Sequence, residues 1–156
     1  MTDQQSTSEP FILFEIAGSV YGLRSRDVRH IEMAEEITPV PNASPFVEGV
    51  IFSRGQVIPA LNLRLRFGFE KIPYDLRTRL VVIQAVGRIV GLLVDSAREF
   101  ISIPSDVIQP PHETIVGLSG KYLEGIATLG ERIVLILDLG EILSFSEALV
   151  TAPTSA

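Results

Sequence analysis

The strongest constraint on the fold is that the chain repeats itself. Residues 11–31 align without a gap over residues 80–100, placing Gly18 on Gly87, Gly22 on Gly91, Leu23 on Leu92 and Arg29 on Arg98. Residues 46–67 align in the same way over 122–143, with Glu48-Gly49 on Glu124-Gly125, Leu61 on Leu137, Asn62 on Asp138 and Leu63 on Leu139. The two offsets are 69 and 76, so the second half carries seven extra residues in its central connection. Two blocks in the same order predict a duplicated unit of about 60 residues. A unit that small is marginal alone, so the copies are expected to share an interface and fold together.

The repeated unit reads as β-structure. Apolar segments rich in Val, Ile, Leu and Phe run for about five to eight residues, and turn residues such as Gly18, Gly22, Pro39, Pro41, Gly55, Gly87 and Gly130 punctuate them. The pattern predicts strands near 11–16, 20–24, 28–33, 47–53, 57–62, 79–86, 89–94, 98–103, 123–129 and 132–137. A short helix is expected over 137–143, with Asp138 as its N-cap, and a helical turn at Ser25–Asp27. The architecture is therefore all-β, a barrel or sandwich built twice. Residues 11–146 form one domain, with sub-barrels at about 11–67 and 80–143 that can exchange terminal segments. Residues 1–10 and 147–156 read as disordered tails.

Composition narrows the function. Nineteen acidic against thirteen basic residues give a net charge of −6, which opposes a nucleic-acid partner. An oligonucleotide-binding barrel would also need exposed aromatics on a basic face, and 7% aromatic content does not supply them. There is no cysteine, hence no disulfide and no thiolate nucleophile or ligand. No apolar run approaches the roughly 18 residues of a membrane span, and the polar amino terminus lacks a signal-peptide pattern; the expected location is cytoplasmic. His30 and His112 are far apart in sequence, and no nucleophile, phosphate-loop or metalloprotease motif occurs. The expectation is a protein with no catalytic residues, no cofactor and no metal.

What remains is binding surface. Val28 and Ile31 have Ala97 and Phe100 as their repeat counterparts. If the barrels pack about a pseudo-twofold axis, these four either flank an apolar groove able to take a helix or are ordinary core residues. Arg54 is the other outlier. Ser53-Arg54-Gly55 in the first half corresponds to Leu129-Gly130-Glu131 in the second, so the turn recurs and the arginine does not. A residue needed only to build the barrel should recur. Arg54 either contacts a partner or supports the loop that does.

Motifs along nearly the whole ordered chain resemble the CheW family, the bacterial chemotaxis coupling proteins. They are Tyr21-Gly22-Leu23 with Asp27-Val28-x-x-Ile31, Thr38-Pro39-Val40-Pro41, Phe46-Val47-x-Gly49-Val50, Arg54-Gly55, Val57-Ile58-Pro59 and Asn62-Leu63-Arg64-x-x-Phe67. The second half adds Val90-Gly91-Leu92-Leu93-Val94-Asp95, Ile108-x-Pro110, Tyr122-Leu123-x-Gly125 and Leu135-Ile136-Leu137-Asp138. The resemblance implies two SH3-like five-stranded barrels and a non-catalytic adaptor. Its implied partners are the cytoplasmic tip of methyl-accepting chemoreceptors and the regulatory domain of a CheA-type histidine kinase, within a membrane-associated receptor array. It implies receptor contacts at Val28, His30, Ile31, Arg54, Val90, Ala97 and Phe100, and kinase contacts at Pro41, Gly49 and Gly55. One departure stands out: where the family pattern has an acid between the valine and the isoleucine, this chain has His30. That change makes an adaptor of a type IV pilus or another chemosensory-like pathway the alternative reading.

Overall fold

The computed structural model describes residues 7–34, 36–111 and 119–145; His112 and the ends at 1–6 and 146–156 lie outside them. Among the described residues, eleven strands form two sheets. In chain order they are β1 (Ser8–Ile16), β2 (Ser19–Arg24), β3 (Val28–Met33), β4 (Val47–Ser53), β5 (Gln56–Asn62), β6 (Arg79–Ala85), β7 (Arg88–Val94), β8 (Ser96–Pro104), β9 (Ile108–Gln109), β10 (Leu123–Leu129) and β11 (Arg132–Leu137). One sheet has the order β8-β1-β2-β11-β10-β9, the other β3-β6-β7-β5-β4. Two helical turns, α1 (Leu63–Arg66) and α2 (Leu139–Ile142), follow β5 and β11.

The duplication is visible strand by strand. Under the sequence alignment β1, β2, β3, β4, β5 and α1 correspond to β6, β7, β8, β10, β11 and α2. Apart from β9, the order of one sheet then maps onto the order of the other. The copies exchange strands. The first barrel combines β1 and β2 with β8, β10 and β11, and the second combines β6 and β7 with β3, β4 and β5. Neither barrel is therefore confined to 11–67 or to 80–143. The join is a parallel pairing in each case: Ile136 with Gly22, and Ala60 with Gly91, which are equivalent positions. Register shifts also repeat, between Val47 and Gly49 and again between Leu123 and Gly125.

Because β1 and β6 present one face to a barrel interior and the other to the layer between the barrels, both of their faces are buried. That is why FILF and LVVI read as unbroken apolar runs rather than alternating ones. Phe11, Leu13, Ala127, Val134 and Ile136 fill the first barrel; their counterparts Leu80, Val82, Ile51, Ile58 and Ala60 fill the second. Between the barrels lies the largest core, with Phe14, Ile16, Tyr21, Leu61, Phe67, Val81, Ile83, Val90, Leu92, Tyr122 and Leu137 among its members. The rings of Phe14, Tyr21, Phe67 and Tyr122 form a continuous stack across it, at centroid separations of 6.2, 5.4 and 5.3 Å.

The short helices belong to this junction. Asn62 Oδ1 accepts from Leu65 N at 3.3 Å and Asp138 Oδ1 from Glu141 N at 3.1 Å, so both helices carry N-caps at equivalent positions. Asp138 is the cap expected from the sequence; α1, its copy, is an addition to the sequence reading. Arg66 of α1 donates to the carbonyls of Ile142, Glu141 and Ser144 at the end of α2, at 2.8, 3.2 and 3.2 Å. Its guanidinium lies over Phe46, Tyr122 and Phe145, a cation satisfied by helix-end carbonyls and ring faces.

Three boundaries differ from expectation. Residues 8–10 are not part of a tail: Ser8, Glu9 and Pro10 pair with Pro104, Ile103 and Ser102, and β8 is the edge that accepts them. The helical turn expected at Ser25–Asp27 is present as a 3₁₀ turn, and a second, unexpected one lies at Ser105–Val107. The two-residue strand β9 reaches β10 because Gly125 has no side chain to obstruct Ile108, which would lie 2.7 Å from an added Cβ. The same device recurs at Gly49, where an added Cβ would sit 2.1 Å from the Thr38 carbonyl oxygen, and Thr38 bridges Val50 there.

Gly49→Ala is therefore expected to lower the thermal midpoint sharply. Gly55→Ala, at φ 83 with open space around it, should cost only about 1 kcal/mol of left-handed strain. Melting curves of the two variants check this, and a Gly49→Ala protein melting with the wild type would contradict it. The strand exchange also predicts that residues 1–72 alone show no cooperative melting transition, because they lack β8, β10 and β11 of the first barrel and β6 and β7 of the second.

Candidate functional site

Four tight hairpins project from the sheets, at Ala17-Gly18, Arg54-Gly55, Val86-Gly87 and Gly130-Glu131. At Arg54-Gly55 both central residues have positive φ, 51° and 83°, the backbone of a type I′ turn. Asn, Asp or Gly would take the first position with little strain; arginine there costs about 1 kcal/mol. Arg54 is exposed and makes no hydrogen bond or ion pair among the described residues. It stands over a small cleft of about 150 Å³ lined by Arg29, His30, Ser53, Gln56, Ile58, Val82 and Ile89. The fold thus brings together two of the residues singled out in the sequence, His30 and Arg54.

The floor of this cleft is a polar clasp. His30 and Glu32 lie two apart on β3 and so share a face. His30 Nε2 is 2.6 Å from Glu32 Oε2 and 3.3 Å from Ser53 Oγ, and the Ser53 hydroxyl donates to the same carboxylate oxygen. β3 and β4 are the two edges of their sheet, so the clasp holds the barrel closed where no backbone ladder does. Burial alone would raise the Glu32 pKa. The Ser53 and His30 hydrogen bonds, with the charges of His30 and Arg54, outweigh that and hold it below the usual carboxylate range. Sequence reasoning missed Glu32 and Ser53; the available signal was a serine on an inward position of an otherwise apolar strand.

The remaining candidates are scattered. Val28 and Ile31 do not face one groove: a register shift follows Val28, which packs on the central core, while Ile31 is 38% exposed. Ala97 lines a separate cleft of about 360 Å³ with Glu15, Arg77, Arg79, Arg98 and Glu99. That cleft lies between the barrels but is polar rather than apolar. Phe100 is 63% exposed on β8. Val90 is the clear correction: it is 3% exposed within the central core and offers no surface to a partner. Gly49 is likewise buried and serves the Thr38 crossing, and the same need at Gly125 explains why this glycine recurs. Pro41 and Gly55 are exposed.

A larger cleft of about 580 Å³ opens beside the clasp, with Met33, Ala34, Ile37, Ile51 and Phe52 on its walls and Glu32 and Glu36 at its rim. Phe52 and its cross-strand neighbour Val57 are 74% and 64% exposed. Elsewhere, Asp95 accepts from Ala17 N at 2.8 Å and from Arg64 at 2.7 Å, tying the barrels together. Among the described residues no group of three or more His, Asp or Glu is placed to hold a metal ion.

These features define a class: a double-barrelled β-protein with singular residues on its hairpins and exposed edges. The model of the CheW-like domain matches residues 10–147, and the chain belongs to the CheW family, the coupling adaptors of chemotaxis. It is 30% identical over 143 residues to the chemotaxis protein CheW of Klebsiella aerogenes, covering 92% of this chain and 86% of that one. It is 28% identical over 156 residues to CheW of Bacillus subtilis, covering all of both. Protein FrzA of Myxococcus xanthus is 28% identical over 109 residues, 69% of this chain and 68% of FrzA. The crystal structure of the scaffolding protein TtCheW from Thermoanaerobacter tengcongensis superposes with a TM-score of 0.84 at 28% identity, covering 93% of this chain and 99% of that one. The expected SH3-like double barrel and the expected family both hold.

The depressed Glu32 pKa fixes a pH dependence. A carboxylate held low when folded contributes stability that is present above its ordinary value of 4.5 and is lost as pH falls through the folded value. Urea unfolding of the wild type and Glu32→Gln should therefore differ at pH 6 and converge toward pH 3. Equal gaps at both values would mean that the charge of Glu32 is not what holds the seam.

Proposed function

We propose that this protein works by binding alone, coupling the cytoplasmic tips of methyl-accepting chemoreceptors to the regulatory domain of a CheA-type histidine kinase. It would act in the cytoplasm at membrane-bound receptor arrays. Among the described residues no helix is long and apolar enough to cross a membrane. The observation that carries the reading is Arg54, a strained, exposed arginine on a hairpin, without a hydrogen-bonding partner among the described residues, in one barrel only. A planar guanidinium so placed is suited to a carboxylate or to paired carbonyls on another protein.

The receptor-facing residues would be Arg54, His30 and the exposed Ile31, Ala97 and Phe100, with Val28 supporting them from beneath. Pro41 and Gly55 are the kinase-facing candidates. Contacts of this kind are individually modest in area, and strength would come from many copies acting together. His30, in place of an acid, favours a second reading within the class: an adaptor in a type IV pilus or other chemosensory-like pathway whose partner face carries a different charge.

Arg54→Asn separates building from binding, because asparagine accepts the left-handed backbone. The variant should melt at or above the wild-type temperature yet lose receptor-dependent control of the kinase in a reconstituted assay. Normal control by a folded Arg54→Asn protein removes Arg54 from the contact. Failure of the folded wild type to retain either a kinase regulatory domain or a chemoreceptor tip fragment in a pull-down defeats the coupling reading for those partners.

A further inference from the structure

The two barrels close their seams with different chemistry. His30 on β3 corresponds to Glu99 on β8, and Gln56 corresponds to Arg132. In the first barrel Glu99 pairs with Arg132 at 2.5 Å. In the second barrel the equivalent place holds a histidine, which faces the Glu32 carboxylate at 2.6 Å. Imidazole is the side chain whose charge ordinarily changes between pH 5 and 8, so only this second seam is built to change in that range.

The groups around His30 make the consequence specific. Glu32, on its own strand, is the carboxylate it touches, and Glu36 lines the adjoining cleft with it. From the hairpin come Ser53, which donates to Glu32, and Arg54, whose positive charge acts on Glu32 as well. Arg29, next in sequence, is engaged by Gln84 Oε1 at 2.6 Å. The strands packed beneath contribute only the apolar Val82 and Ile89. Glu32 therefore has two cations near it, one switchable and one permanent, and Arg54 is the permanent one, without a hydrogen bond among the described residues.

We propose that His30 is a positioning residue that decides whether Arg54 is available to a partner, the two cations competing for the Glu32 carboxylate. With His30 protonated, Glu32 is satisfied by an imidazolium and a hydroxyl, and the Arg54 side chain extends into solvent. With His30 neutral, the charge-assisted hydrogen bond becomes an ordinary one. Glu32 then draws Arg54 back across the cleft, withdrawing it from the exposed face. Only the consequence for binding rests on the partner role proposed above; the competition itself is a property of the chain alone.

The test is a nuclear magnetic resonance titration of the full chain between pH 5 and 8.5, following the His30 ring, the Arg54 side-chain NεH and the Arg54 and Gly55 amides. All four should move with one shared midpoint, and the Arg54 and Gly55 changes should vanish in His30→Gln, which keeps a neutral donor, and in Glu32→Gln, which removes the contested carboxylate. A His30 ring that titrates while Arg54 stays still overturns the proposal, as does an Arg54 response that survives in His30→Gln. If either variant fails to fold, the wild-type titration still decides, because the competition requires the shared midpoint. A second arm measures binding of a soluble chemoreceptor tip fragment, which should be several-fold tighter at pH 6 than at pH 8 and flat across that range in His30→Gln. No binding at either pH, with the shared midpoint present, refutes the partner assignment and leaves the competition standing.

Discussion

Everything in this molecule hangs on the apolar layer between the two barrels. Neither barrel has a core large enough to hold it alone, since the interior of each is a handful of residues. The strands meet the shortage by burying their second face against the other barrel, so Phe14, Tyr21, Phe67 and Tyr122 stack across a junction that neither half could supply. Arg66 completes it by carrying a charge into the same layer, where helix-end carbonyls and aromatic faces replace its water. Strand exchange follows the same logic. With β1 and β2 ending in the barrel made by the second half, the halves cannot separate without breaking two parallel ladders as well.

A rigid junction leaves variation to the periphery, and the differences between the two copies are found there. The glycines at Gly49 and Gly125 perform one task in both barrels, admitting a crossing segment against the sheet. The hairpin tips and seams differ: Arg54-Gly55 against Gly130-Glu131, and His30 with Glu32 and Ser53 against Glu99 with Arg132. An adaptor must present unlike faces to unlike partners, and a duplicated fold reaches that by altering tips and seams while the layer between the barrels stays fixed. The strain at Arg54 fits this division. A left-handed arginine contributes nothing to the sheet that an asparagine would not contribute at lower cost.

The family resemblance was legible because it rests on local patterns: Tyr21-Gly22-Leu23, Thr38-Pro39-Val40-Pro41, Arg54-Gly55 and their successors. Nine of the ten expected strands overlap their observed spans within two residues, and β1 starts three earlier, for apolar runs bounded by turn residues leave little choice. The site was read less well. Val90 was expected at a receptor contact on the family resemblance alone, yet it faces the central core. Glu32 and Ser53 looked ordinary because their meeting depends on which two edge strands close the barrel.

The sequence by itself determined the unit and its doubling: short strands, tight glycine turns, the Asp138 cap, a core-rich composition and the solitary Arg54 are all local properties of the chain. Only the tertiary structure decided how the copies combine. Strand exchange, the parallel joins and the buried faces arise from pairings between distant residues, such as Gly22 with Ile136 and Ser8 with Pro104, and periodicity carries no information about distant partners. Pairing of edges is likewise what set His30 against Ser53 and placed Arg54 above the same cleft. Residues of this kind acquire a role from what the fold places beside them, which no reading of their own neighbours in sequence can supply.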